Sequence, residues 1–468
     1  MRESGPARRE LKQVITRAGF FALSFGSIVG SGWVVLLGEW LARASPGGTV
    51  LAILAGGAAM MLVGLCYAEL AARFPRAGGE FLYILETWGR LPAFMAGWFL
   101  TLYLISICAF EGLAIALMIE VLVPQLSSPV LYTAYGQAIS VHALALGYGS
   151  AVAVWAVNVA GTGTSVLLQR LITYGFIGIM AGLIAFAGLF GEASNLLPLF
   201  GGAAGSDWPM GAAWIFGTCA VLLYGFQAAA QAIEERAPGM SVGTVVRAMV
   251  AGIAAAALFY CAVVLSAASA TPWEELLETR LPAAAAFGAL STSISLGTVV
   301  IAAATASLLK TWNGIVLMAA RLVLAQARAE VLPPRLATLN RAQAPAAAIT
   351  LVTLISMSGM LLGRGAIVPI INMAAICVSL ATALCLVALL KLRARQTELP
   401  SFSAPGGSLT VWTALVLMLG MSLFAFLEPL FASGDGMPLE WILILVWGCV
   451  GLSLAIFASR RAKAAHRT

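Results

Sequence analysis

Two ionisable side chains, Lys310 and Glu111, stand inside long apolar runs of this chain. A charge at bilayer depth costs several kcal/mol unless it is paired or wetted, so each marks a pathway or a coupling group by default. Lys310 lies 11 residues, roughly 16 Å of helical rise, from Arg321, the next basic residue along its run. Glu111 could balance Lys310, bind a cationic substrate or take up a coupling proton, and helical counting leaves the two at somewhat different depths. A second kind of chemistry is made of backbone. Gly26-Ser27-Ile28-Val29-Gly30-Ser31-Gly32 interrupts an apolar segment running from Ala18 to Leu41. Each interior glycine costs about 1 kcal/mol in a helix. A break at membrane depth persists only where it is buried in protein or faces a cavity. The run that follows residue 210 is interrupted in the same way by Tyr224-Gly225-Phe226-Gln227, ahead of Glu234-Glu235-Arg236. Both interruptions read as binding sites made of backbone, although Gly26-x-x-x-Gly30 is also a small-residue packing motif.

Other chemistries find little support. The two histidines, His142 in a loop and His466 in a basic tail, sit near no nucleophile, and there is no metal-ligand cluster or nucleotide loop. No cofactor and no metal are expected, and an enzyme is not. The seven cysteines fall within apolar segments and read as small buried hydrophobes. The charge of +6 comes from basic residues in short loops and tails, a topology signal that excludes nucleic acid as the partner.

The elements that must position these residues are membrane spans. With 61% hydrophobic and 10% charged residues, the chain is a polytopic helical membrane protein in contact with lipid. Twelve apolar runs are long enough to cross: 17–42, 49–72, 92–123, 147–166, 169–191, 210–234, 245–270, 285–325, 345–363, 366–391, 408–430 and 440–459. The fourth is diluted by Asn158, Gly161, Thr162, Gly163 and Thr164. The first is too long for a signal peptide and is expected to stay in the mature protein. With both termini in the cytoplasm, all of the 26 basic residues except Arg43, Arg280, Arg364 and Lys310 fall on that side. The organisation expected is a cytoplasmic tail (1–16), five spans (17–193), five more (208–392), two accessory spans (408–459) and a basic cytoplasmic tail (460–468). Glycine-interrupted segments heading both halves point to an inverted-repeat transporter with its site at the midplane.

Four stretches carry a family resemblance, which covers roughly residues 17 to 350. The first is Gly26 to Gly32, read as G-x-I-x-G-x-G. The second is Tyr67-Ala68-Glu69-Leu70-Ala71-Ala72-Arg73-Phe74-Pro75-Arg76-Ala77-Gly78-Gly79-Glu80, followed by Gly97-Trp98. The third is Tyr224-Gly225-Phe226 with Glu234, Glu235 and Pro238, one residue short before the proline. The fourth runs from Ala320-Arg321 through Arg328 to Leu332-Pro333, with Asn340-Arg341 and Pro345; Ala329-Glu330 replaces the usual Asp-Gly. Together they resemble the amino acid permeases of the amino acid, polyamine and organocation (APC) transporter superfamily.

The resemblance implies an all-α, LeuT-type fold of five plus five inverted helices and two accessory ones, twelve spans in all. It implies a secondary transporter in the inner (plasma) membrane that moves amino acids by alternating access. An amino acid/polyamine exchanger, or a non-transporting sensor of the same fold, is the alternative. Substrate contacts would come from Ser27, Ile28, Gly30, Ser31 and Gly32 in the first span and from Tyr224, Gly225, Phe226 and Gln227 in the sixth. A half-helix starting near Gly30 to Gly32 would hold the carboxylate, and carbonyls before Gly225 the ammonium. Tyr224 and Phe226 would close over the substrate. The small, apolar pocket favours a neutral amino acid. Many relatives place a lysine in the fifth span where sodium-coupled cousins bind an ion. Phe176 stands there here, and Lys310 either replaces that lysine, with a proton as the candidate coupling ion, or is a structural lysine paired with a carbonyl or carboxylate. Glu69 and Glu80 are expected to make gate or loop salt bridges with Arg73 or Arg76.

Overall fold

The structure is a computed structural model that describes residues 11–30, 32–76, 78–135, 137–201, 207–291, 295–395, 400–432 and 437–465. Helix α1 (Arg17–Ile28) is started by Thr16, whose hydroxyl accepts from Gly19 N at 3.3 Å. It ends where Val29 turns extended (φ −84°, ψ 90°), and helix resumes as α2 (Gly32–Val35) and α3 (Leu37–Arg73). Ser45, at φ 54°, divides α3 just before Pro46. The front of α3 therefore completes the first span, and the remainder forms the second.

The chain continues through α4 (Gly79–Trp88) and α5 (Arg90–Leu122) to an antiparallel hairpin, β1 (Val130–Ala134) with β2 (Gln137–Ser140). Helix α6 (Val141–Val159) begins ahead of the expected 147 because the Ser140 hydroxyl caps it, accepting from Ala143 N at 2.9 Å. Gly161, at φ 115°, separates it from α7 (Thr162–Phe190). The sixth span is built from α8 (Trp208–Leu222), a 3-10 turn (Tyr224–Phe226) and α9 (Gln227–Gln231). Then come α10 (Val242–Ala270), α11 (Trp273–Leu276), α12 (Pro282–Ala289) and α13 (Leu296–Arg328). The expected run 285–325 is thus two helices. Last are α14 (Ala346–Met360), α15 (Ile367–Arg395), α16 (Gly407–Ala432) and α17 (Leu439–Ala465).

Among the described residues, eleven helices are long and apolar enough to cross a membrane, against twelve expected. The difference is the ninth: α14 has 15 residues, about 22 Å of rise, and is apolar but short. The most apolar stretch of α5 is 89% buried and that of α17 only 11%, so α5 runs through the middle of the bundle and α17 lies at its edge. The largest buried side chains, among them Trp33, Trp40, Tyr67, Tyr224, Tyr260, Phe226 and Trp312, crowd around the two broken spans. Ahead of α1, Val14 N and Ile15 N both donate to Glu235 O at 2.9 Å, tying the start of the chain to the end of the sixth span. Beside that tie, Glu235 pairs with buried Arg321, whose guanidinium also reaches Thr162 Oγ1 at 3.1 Å.

Candidate functional site

The two breaks meet backbone to backbone. A Cβ on Gly225 would stand 2.2 Å from the carbonyl carbon and oxygen of Ser27 and 2.5 Å from Ile28 N. Only glycine allows this approach. Gly30 has a similar reason to lack a side chain: its Cβ would lie 3.1 Å from Glu111 Oε1.

Opening a helix strips carbonyls of their i+4 donors, and these must be paired again if they are buried. Helix α13 supplies donors at one-turn spacing, from Ser307, Lys310 and Thr311 on one face. Lys310 Nζ donates to Gly26 O at 3.2 Å and to Val29 O. Thr311 Oγ1 is 2.9 Å from Gly26 O and 3.0 Å from Val29 O, and Ser307 Oγ is 2.9 Å from Val29 O and 3.1 Å from Gly30 O. From α10, Tyr260 OH donates to Ile28 O at 3.1 Å. Lys310 Nζ also lies 4.8 Å from the centre of the Phe176 ring, so the two positions singled out in sequence are neighbours. Glu111 is buried, and among the described residues its Oε2 has no hydrogen-bond partner and it makes no direct ion pair with Lys310.

The sixth break is tied through side chains. Tyr224 OH lies 2.8 Å from Tyr67 OH, accepts from Thr382 Oγ1 at 2.9 Å and donates to Glu80 Oε1 at 3.0 Å. Gln231 Nε2 donates to Glu80 Oε2 at 2.9 Å. Phe226 packs edge-on against Tyr67 at 5.5 Å and Tyr224 at 5.4 Å, all three fully buried. Here the expectation of an arginine partner for Glu80 fails. The chain turns at Gly78 and Gly79, both at positive φ, and carries Glu80 into the bundle under Tyr224. Burial pushes its carboxyl up to about 7. Arg76 pairs instead with Glu86 at 3.2 Å. Glu69 does pair with Arg73, at 2.9 Å, and Arg393 of α15 joins it.

The remaining sequence-predicted residues divide. Gly32 packs against Leu222, and Ile28 is buried with its carbonyl on Tyr260. Ser27 directs its hydroxyl at Gly314 of α13 and has no hydrogen-bond partner for it among the described residues. Gln227 is fully buried, with both amide atoms unpartnered among the described residues. Ser31 lies outside the described residues. Sequence reading missed Ser307, Thr311 and Tyr260. The first two were signalled by their spacing of three and one from Lys310; Tyr260 carried no local signal. Among the described residues, no group of three or more His, Cys, Asp or Glu side chains could hold a metal ion.

Comparison with known proteins finds similarity to amino acid transporters. The glutamate/serine transporter AimA of Bacillus subtilis (strain 168) is 32% identical over 108 residues, 22% of this chain and 20% of its own length. Cationic amino acid transporter 4 of Mus musculus is 32% identical over 96 residues, 20% of this chain and 15% of its own. A putative histidine permease of Bacillus subtilis (strain 168) is 35% identical over 89 residues, 19% of each chain. These matches span a fifth or less of the relatives' length. A family-wide match, described as amino acid permease, covers residues 15–450. From Ile15, ahead of the first break, to Val450 in the last span, the chain belongs to the amino acid permease family, whose members are transporters and not enzymes.

Proposed function

We propose that this permease is a secondary active transporter that moves an amino acid across the cytoplasmic membrane by alternating access, holding it where the breaks of the first and sixth spans meet. The observation that carries the reading is the direct contact of Gly225 with the Ser27 backbone, together with buried polar atoms of Gln227 and Glu111 that have no partner among the described residues. Buried polar groups are almost always satisfied, so a set of unsatisfied ones at a helix break is what a polar ligand would complete. The N–H groups at the start of the helix that resumes at Gly32 would suit a carboxylate, and the Gln227 amide can donate or accept. The two halves, 17–193 and 208–392, act as inverted repeats, each opening on a broken span, with 408–459 accessory and both termini cytoplasmic. The relatives' names cover acidic, small, cationic and histidine-like substrates. A neutral amino acid fits the apolar surroundings best.

Lys310 serves the coupling step. Its ammonium sits on the carbonyls of Gly26 and Val29, beside Phe176, as an internal cation. Whether it stays charged or exchanges a proton in each cycle, its bonds to the first break fall on the element that must move. The test has two stages. A thermal-shift screen of the purified protein against amino acids and polyamines should reveal stabilisation by a ligand that binds the folded state. Uptake of that ligand into liposomes across a pH series should follow; binding without uptake would make the protein a sensor, and no stabilisation by any amino acid would remove the substrate site.

A further inference from the structure

In a broken-span site the natural acceptors for a ligand ammonium are the freed carbonyls. Here they are occupied from within the protein. Gly26 O and Val29 O each lie within reach of two or more donor groups of α13, the single Ser307 proton serves either Val29 O or Gly30 O, and Ile28 O accepts from Tyr260. What remains open at the first break is a carboxylate oxygen. Glu111 reaches in from α5 until its Oε1 stands against Gly30, and its buried Oε2 has no partner among the described residues. We infer that Glu111 is the acceptor for the substrate's ammonium group, so that the site selects ligands bearing a protonated primary amine and reads that amine with a side chain in place of the first-span backbone. This rests on the proposed reading that the substrate sits where the two breaks meet.

The alternatives fit less well. A metal cation needs several oxygens around it, and the neighbouring carbonyl oxygens already accept hydrogen bonds. A proton on Glu111 would turn a carboxylate into a hydroxyl donor that still needs a buried acceptor. An ammonium supplies donors and charge together, and charge-assisted bonds are the strong ones.

The test is binding of three matched sets of ligands to the purified full chain by thermal shift and calorimetry: amino acids, the primary amines that lack their carboxylate, and the 2-hydroxy acids that lack their amine. The wild type should prefer each amino acid to its 2-hydroxy acid by at least about tenfold. Glu111→Gln, close in shape to the protonated acid, should weaken amine-bearing ligands about tenfold or more and leave 2-hydroxy acids unchanged. Glu111→Asp, which keeps the charge, should recover part of the loss. Equal binding of amino acids to wild type and Glu111→Gln would overturn the assignment and leave the proposed function standing. Should Glu111→Gln not fold, 2-hydroxy acids binding the wild type as tightly as amino acids would overturn it too. Failure of the wild type to bind any amine-bearing ligand would remove both readings.

Discussion

At the first break the backbone runs extended through Val29, and its carbonyls are met by side chains from two other helices, one of them a buried ammonium. At the sixth the chain tightens into a 3-10 turn, in which Gln227 N bonds back to Gly225 O and Tyr224 O. There the distant partners are spent on a side chain, the Tyr224 hydroxyl, which is fixed to Tyr67, Thr382 and Glu80. An opened helix must find donors elsewhere, whereas a tightened one supplies most of its own. The first break is therefore sensitive to the charge on α13, and the sixth to whatever moves α3, α4 and α15.

Substitutions can break this comparison, beginning where the two regions touch. Gly225→Ala places a methyl group 2.2 Å from the Ser27 backbone, which has no flexible end to yield. It should cost about 3 kcal/mol or more, at the upper end of overpacking, and abolish uptake. An unchanged melting temperature would mean that the breaks are not in contact. Next is Lys310→Met, which keeps the stem and removes the charge and its bonds to Gly26 and Val29. Stability should fall by about 1–3 kcal/mol, since Thr311 and Ser307 still serve those carbonyls, while uptake should fall at least about tenfold and lose its pH dependence. Wild-type uptake and pH profile would make Lys310 merely structural.

Tyr224→Phe tests the sixth break alone. It removes one donor to Glu80 and should cost about 1–2 kcal/mol in thermal stability, with less effect on ligand affinity than Lys310→Met. A larger loss of affinity would place the tyrosine hydroxyl on the substrate. The smallest effect is a pH slope from Glu80. Its folded value of about 7 lies above its ordinary 4.5, so the folded state favours the protonated acid. The stability it contributes is complete below about 4.5 and is lost as pH rises through about 7. Glu80→Gln should flatten that stretch of a melting-temperature profile; an unchanged slope would assign it to other groups.

Much of the fold was legible because span length and hydropathy are local. Ten of the expected spans match single long helices or the paired pieces of a broken one, and the remaining two differ for local reasons: Ala346–Met360 is short, and the run after 285 is two helices, Pro282–Ala289 and Leu296–Arg328. Both breaks stand where Gly26 to Gly32 and Tyr224 to Gln227 announced them. The candidate site was legible only in outline. Lys310 and Glu111 drew notice as charges in apolar runs, yet Ser307 and Thr311 look like ordinary small helix residues until the carbonyls they serve are known. Glu80 was misread because it sits close in sequence to Arg73 and Arg76, while two glycines at positive φ turn it inward, away from both.

By itself the sequence determined that this is a many-span permease with two broken helices and two intramembrane charges, because apolar length, glycine content and isolated charge are properties of short stretches. Only the tertiary structure decided what each polar group meets. Lys310 and Val29 are 281 residues apart, Tyr224 and Glu80 144, Tyr260 and Ile28 232. A buried donor or acceptor takes its partner from whichever helix packs beside it, and that is settled by the packing of the whole bundle.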